Sequence, residues 1–162
     1  MAKEIERKFL LSTTDLRFLK AYPSVAIVQG YLHETGMTSR VRIAGENAFF
    51  TLKGKAQGIS REEFEMPMER KMAEELLAKH AVGRLVYKTR YIIPFGAHTW
   101  EVDVFERELA GLVVAEVEMS HEAEVVQLPH WVGTEVSHNK AYTNKNLAQA
   151  KRKPLALVPM AA

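Results

Sequence analysis

Lys3 to Leu11 reads KEIERKFLL, and the fold turns on how its charges are spaced. Glu4, Glu6 and Lys8 alternate with Ile5, Arg7 and Phe9. Successive side chains of a β-strand point to opposite faces, so the two carboxylates and the ammonium share one face at ~7 Å intervals. A helix would scatter them, because helical neighbours lie three or four residues apart. Burying such a face in an apolar core is costly. It needs water, counter-charges or a metal. Alone, the pattern fits any exposed amphipathic strand, and it gains weight because the rest of the chain repeats it.

Working outward, the 162 residues suit a single domain, 1–162, with its core at about 3–150. An apolar fraction of 47% is that of a soluble globular protein. A net charge of +2 gives nucleic-acid binding no support. Cys 0 excludes disulfides and thiolate metal sites. No apolar run follows a basic start, and no stretch reaches the ~18 apolar residues of a membrane span. The expectation is a cytoplasmic protein with no membrane partner.

In chain order, the first strand ends near Ser12, and TTDLRFLK predicts one or two helical turns closed by Pro23. Strands follow at Val25–His33, Thr38–Ala44, Ala48–Gly54 and Ile59–Met66, with a hairpin turn at Gly45–Asn47. A helix is predicted from Glu69 to Val82, with Met72, Leu76 and Leu77 as its stripe and Gly83 as its C-terminal cap. Further strands are Leu85–Ile93, His98–Phe105 and Leu112–Met119, with a turn at Pro94–Ala97. Ser120 predicts a short helix ending before Pro129, and a last helix runs from Ser137 to Lys151. The basic run Lys151, Arg152, Lys153 suits a helix C-terminus, and the tail after Pro154 is expected to be loosely held.

Eight strands with mostly short connections suggest an antiparallel, closed sheet. The strings EIERK, RVR, SREEFE, KTR, EVD and EVE each set charges two residues apart, and the second strand offers Gln29, Tyr31 and His33 on its corresponding face. Two arrangements fit. The apolar faces form an ordinary core with the charges outside, or the sheet closes with charges lining a lumen and helices covering its apolar exterior. The inward set of the second arrangement would be Glu4, Glu6, Glu63, Glu65, Glu101, Asp103, Glu116 and Glu118 against Lys8, Arg40, Arg42, Lys53, Arg61, Lys88 and Arg90. Such near-balance limits repulsion. Carboxylates alone would suit a divalent cation and bases alone an anion, so both together suit a metal–polyphosphate complex. An ion-pair lattice that binds nothing is the competing account. Phosphate-loop, dinucleotide and paired-histidine zinc motifs are absent, and no serine sits in a nucleophile elbow.

The opening EIERKFL resembles the ExExK signature of the CYTH superfamily, the triphosphate tunnel metalloenzymes. RVR, TLK, SREEFE, KTRY, EVDVF and AEVE come in that family's order over about residues 3–150. The likeness is greatest to the short bacterial inorganic triphosphatases. It implies an eight-stranded antiparallel barrel forming a tunnel, with helices packed outside, and so selects the charged-lumen arrangement.

The resemblance also implies roles. Glu4, Glu6, Glu116 and Glu118, with Glu63 and Asp103 nearby, would hold Mg²⁺ or Mn²⁺, two ions per site. Lys8, Arg40, Arg42, Lys53, Arg61, Lys88 and Arg90 would hold a small-molecule triphosphate. Tyr31 would assist catalysis beside Lys8, and a second metal, or carboxylates such as Glu63 and Glu65, would activate water. Relatives carry Asp-x-Arg-Tyr-x-Asn near the C-terminus, where this chain has Asn139, Lys140, Ala141, Tyr142, Thr143 and Asn144. Lys140 is expected at one tunnel end, and the arginine is lost at Ala141. The expected activity is hydrolysis of tripolyphosphate. The alternatives are a class IV adenylate cyclase or a thiamine or nucleoside triphosphatase on the same fold, and a non-catalytic polyphosphate-binding module. A homodimer is a family-level expectation.

Overall fold

The computed structural model describes residues 2–32, 36–150 and 152–154. His33, Lys151 and the tail from Leu155 lie outside them, and so do the expectations placed there.

Every strand pairing is antiparallel. The strands are β1 (Ala2–Leu11), β2 (Ser24–Leu32), β3 (Thr38–Ala44), β4 (Asn47–Lys53), β5 (Ser60–Met68), β6 (Ala81–Phe95), β7 (His98–Phe105), β8 (Val113–Glu118) and β9 (Val132–Glu135). Their order is β5-β4-β3-β2-β6-β7-β8-β1-β9, and a further β5–β1 pairing closes the first eight into a barrel. β9 is an addition to the expected eight. It pairs with the far end of β1, at Phe9 and Leu11, beyond the Ala2–Ile5 segment that meets β5. β1 therefore seals the ring at one end and extends it at the other.

The hairpins β3–β4 and β6–β7 turn over two residues each. Gly45 and Gly96 take the first central position with φ of 59° and 60°, the place a type II′ turn reserves for glycine. The second turn therefore lies beyond Pro94, which remains within β6.

Two apolar layers clothe the barrel. α1 (Arg70–His80) covers β2, β3 and β4, burying Ala73 and Leu77 with Leu76 half-buried against Val41, Ile43 and Ala48. That stripe has the i, i+3, i+4 spacing of an amphipathic helix. It omits Met72, which points to solvent at 54% exposure. The helix stops at His80 and β6 starts directly, so Gly83 is a strand residue set against the Ala148 carbonyl and not a helix cap. On the other side, Ile5, Phe9, Trp100, Val102, Ala115 and Val117 pack beneath Leu19 and Trp131. Phe9 and Trp131 each meet Trp100, with ring centroids 5.5 and 5.7 Å apart. Leu19 belongs to a 3-10 turn, Arg17–Ala21, in place of the expected α-helical turns.

The segment after Ser120 is irregular rather than helical. The predicted last helix is a 3-10 turn, Lys140–Tyr142, followed by the six-residue α2, Asn144–Gln149, capped by the Thr143 side chain. This segment packs on the barrel through a third cluster, in which Tyr142, Leu147 and Ala148 meet Leu10, Tyr31, Val86, Phe105 and Val114. These five strand residues belong to the same alternating faces as the inward charges. The interior is thus charged at one end and apolar at the other, where the C-terminal segment forms its floor.

Candidate active site

Strand alternation brings the charged strings together. Glu4 and Glu6 of β1, Arg40 and Arg42 of β3, Lys53 of β4, Glu63 and Glu65 of β5, Arg90 of β6, Glu101 of β7, and Glu116 and Glu118 of β8 line one cavity of about 240 Å³, with Asn144 from α2. Seven carboxylates face four cations there.

The cations are held in different ways. Arg90 grips Asp103 with two hydrogen bonds of 2.7 and 2.9 Å and reaches Glu101 at 3.2 Å. Lys88, wholly buried beneath the cavity, donates to Asp103 at 2.7 Å and to the Asn144 side chain at 3.1 Å. Both Asp103 oxygens are therefore committed to protein cations. Burial pushes the Lys88 ammonium down to about 7; Asp103 offsets this in part, while Arg90 and Arg42 repel. Burial disfavours the Asp103 charge, but Lys88 and Arg90 outweigh it and hold the carboxyl below its ordinary range. Lys8 donates to the Tyr142 carbonyl at 3.1 Å and lies 3.6 Å from Glu116. Arg40 and Thr51 both donate to Glu65. Arg42 donates to the Gln29 side chain, which in turn donates to the Tyr31 hydroxyl.

The carboxylates repel one another. Burial first, then Glu116 and Glu4, raise the Glu6 carboxyl well above its usual range. A carboxyl–carboxyl hydrogen bond with Glu4, then burial, raises Glu63 to about 7. Glu4 is held low, since Glu63 and Lys53 overcome its burial, and Glu116 is held low by Lys8, Arg90 and Lys88 against its own. Glu4 Oε2 is ion-paired with Lys53 Nζ at 2.6 Å, and among the described residues the buried Arg40 Nε has no hydrogen-bond partner. An excess of acids, four of them (Glu6, Glu63, Glu101 and Glu118) raised by burial and by neighbouring carboxyls, is a donor set that a divalent cation fits. Among the described residues, no three acids or histidines converge to ligating geometry as they stand, so a metal would draw Glu4, Glu6, Glu63, Glu116 or Glu118 inward.

Lys8, Lys88 and Asp103 reach the cavity through Glu116 and Arg90 without lining it, and three further expected residues do not line it either. Arg61 donates to the Gly54 carbonyl and, though absent from the lining of the central cavity, shares an adjoining groove with Glu4, Glu6 and Lys8. Lys140 lines a groove with Glu135, Ser137 and Asn139, separate from the central cavity. Tyr31 sits below the cavity, in the floor cluster. Glu101 lies in the lumen as its strand alternation predicts, whereas Gln29, Thr51 and Asn144 carried no assigned role in the sequence. Gln29 was visible on the inward face of its strand, but an uncharged side chain gives no charge pattern. Asn144 comes from a non-strand segment, which strand alternation does not place.

An antiparallel barrel with a lumen of opposed charge defines a tunnel protein suited to a charged small molecule. A model of the CYTH domain matches residues 2–152, and the chain belongs to that family. It is 37% identical over 150 residues to the inorganic triphosphatase of Acetivibrio thermocellus, covering 92% of this chain and 95% of that one. It is 40% identical over 151 residues to the inorganic triphosphatase of Nitrosomonas europaea, covering 90% and 96%. The crystal structure of the inorganic triphosphatase NE1496 is similar at a TM-score of 0.66 and 35% identity, over 94% of this chain and 98% of that one.

Proposed function

We propose that this protein hydrolyses inorganic tripolyphosphate to pyrophosphate and phosphate with the aid of divalent metal. The observation that carries the reading is a single lumen holding both an excess of carboxylates and arginine donors left open to an anion: among the described residues, Arg42 is bonded only to a neutral amide and Arg40 Nε has no hydrogen-bond partner. The relatives, inorganic triphosphatases over nearly their whole length, supply the substrate class.

Glu4, Glu6, Glu116 and Glu118, with Glu63, would hold the metal, two ions of Mg²⁺ or Mn²⁺. Bound metal would neutralise phosphoryl oxygens and lower the proton affinity of water. Arg40, Arg42 and Lys53 bind the triphosphate, because planar guanidinium forks match phosphoryl oxygens. Arg90 is fixed by Asp103, and Lys88 braces the same carboxylate, so Asp103 acts as a positioning group. Glu65 or Glu63 takes the proton of a water as its oxygen attacks a terminal phosphorus. The bridging P–O bond breaks, and the pyrophosphate leaves with its charge met by Arg90, Arg42 and Lys8. Phosphoryl transfer needs mainly positioning and charge stabilisation, which fixed side chains on a closed barrel supply.

The test is phosphate release from tripolyphosphate, ATP and thiamine triphosphate with Mg²⁺ or Mn²⁺, beside an assay for cyclic AMP. The expected outcome is highest kcat/KM on tripolyphosphate. Preferred turnover of a nucleotide, or formation of cyclic AMP, would overturn it.

A further inference from the structure

Gln29 of β2 and Arg42 of β3 are cross-strand partners on the lumen face. Gln29 is wholly buried and Tyr31 nearly so. The orientation of the Gln29 amide is dictated by its neighbours. A guanidinium only donates, so the amide oxygen must face Arg42 Nε, at 3.0 Å. The amide nitrogen then faces Tyr31 and donates to its hydroxyl at 2.9 Å. Gln29 is thereby locked between a donor on one side and an acceptor on the other.

The acceptor given to Arg42 is unusual for this lumen. Arg90 is paired with Asp103 and Glu101, and Arg40 with Glu65. Among the described residues, Arg42 has no carboxylate within ion-pair distance. Burial, then its cationic neighbours Arg40 and Arg90, lowers its proton affinity to about 10. A glutamate at position 29 would make a stronger, charge-assisted bond. It would also cancel the charge that a phosphoryl group must find.

We propose that Gln29 is a positioning residue for anion binding: its neutral carbonyl aims the Arg42 guanidinium into the lumen while leaving the charge uncompensated, and Tyr31 braces the amide in that orientation. The inference rests on the triphosphatase reading and adds to it the residue that keeps one arginine available to substrate.

The test is a double-mutant cycle of wild type, Q29E, R42A and Q29E/R42A. It is read by steady-state kinetics on tripolyphosphate with Mg²⁺ and by calorimetric titration of tripolyphosphate, with melting curves to establish folding. Q29E should raise KM and the titrated Kd for tripolyphosphate at least ten-fold. The same change in the R42A background should alter both by less than two-fold, because the arginine it acts through is gone. A merely structural role would give equal effects in both backgrounds, and that result, or an unchanged KM in Q29E, overturns the inference. If Q29E does not fold, Q29M carries the cycle: it removes the acceptor without adding charge, and should raise KM at least three-fold in wild type and not in R42A. A wild type that binds tripolyphosphate without hydrolysing it would remove the hydrolase reading and leave the binding cycle to decide this one. A wild type with no affinity for tripolyphosphate overturns both.

Discussion

Glu6 stands among like charges, and that crowding governs how single substitutions and single protons act on the site. Glu6→Gln keeps shape and removes one charge. Metal-free stability should hold or rise, because burial, Glu116 and Glu4 all penalise the ionised form. The rise in melting temperature on adding Mg²⁺ should shrink, and most turnover should be lost. A variant with wild-type turnover and metal response would remove Glu6 from the site. The same crowding sets a pH dependence. Unfolded carboxyls ionise near 4.3, whereas Glu63 in the fold is held up to about 7 and Glu6 is raised as well. Between those values the folded state binds more protons than the unfolded, so metal-free stability falls as pH rises. Glu4 and Glu116, held low, act in the opposite sense, but below about pH 4.3, where the unfolded chain takes up protons; Lys88, held down to about 7, opposes the fall only as pH rises through about 7, one group against Glu63 and Glu6 together. With chelator, the melting temperature should be higher at about pH 5.5 than at about pH 7.5, and the gain from Mg²⁺ should be larger at the higher pH, because ligands bind metal deprotonated. Equal melting temperatures at both, with an equal gain from Mg²⁺, would count against raised acids in a shared metal site.

At the scale of elements, β1 separates two functions by face. Ile5 is buried in the outer apolar layer between the inward Glu4 and Glu6. Ile5→Ala should cost about 2–5 kcal/mol in denaturant unfolding, with kcat and KM of the folded fraction near wild type. Leu147 of α2 is fully buried in the floor cluster, and Leu147→Ala should cost a similar amount, about 2–5 kcal/mol, by the same measurement. A cost below about 1 kcal/mol would mean that the floor contributes little to the fold. The strands and their charged faces were legible in the sequence because a two-residue period survives in EIERK, RVR and EVD whatever the surroundings. The floor was not legible. Leu10, Tyr31, Val86, Phe105 and Val114 continue the charged faces with apolar residues, and nothing local says that these faces change character along the axis. α1 shows the complementary limit. Its existence was legible, but Met72 and Ala73 exchange places on the stripe, because helical phase depends on the sheet beneath it. β9 is four residues long and, among the described residues, pairs with β1 alone, too short for alternation to register.

For the molecule as a whole, the two ends of the barrel interior differ in chemistry, and the charged end should govern its dependence on metal. Turnover should vanish in excess chelator and return with Mg²⁺ or Mn²⁺, with Ca²⁺ a poor substitute because it is larger and less strict in geometry. Undiminished phosphate release in chelator would exclude a metal-assisted reaction. The ring itself carries a further consequence, for the order in which the protein is made. β1 precedes β8 and β9 on the ribosome by more than half the chain, yet Glu6 pairs with Glu118 and Phe9 with Glu135. The seam cannot close until these late segments have emerged. Until then the first strand waits with its acids hydrated and the edge that β8 will take unpaired. A nascent chain halted anywhere before Val113 holds an open sheet, so closure is an event that comes after synthesis of most of the domain. Joining segments so far apart in sequence makes that closing step a slow one.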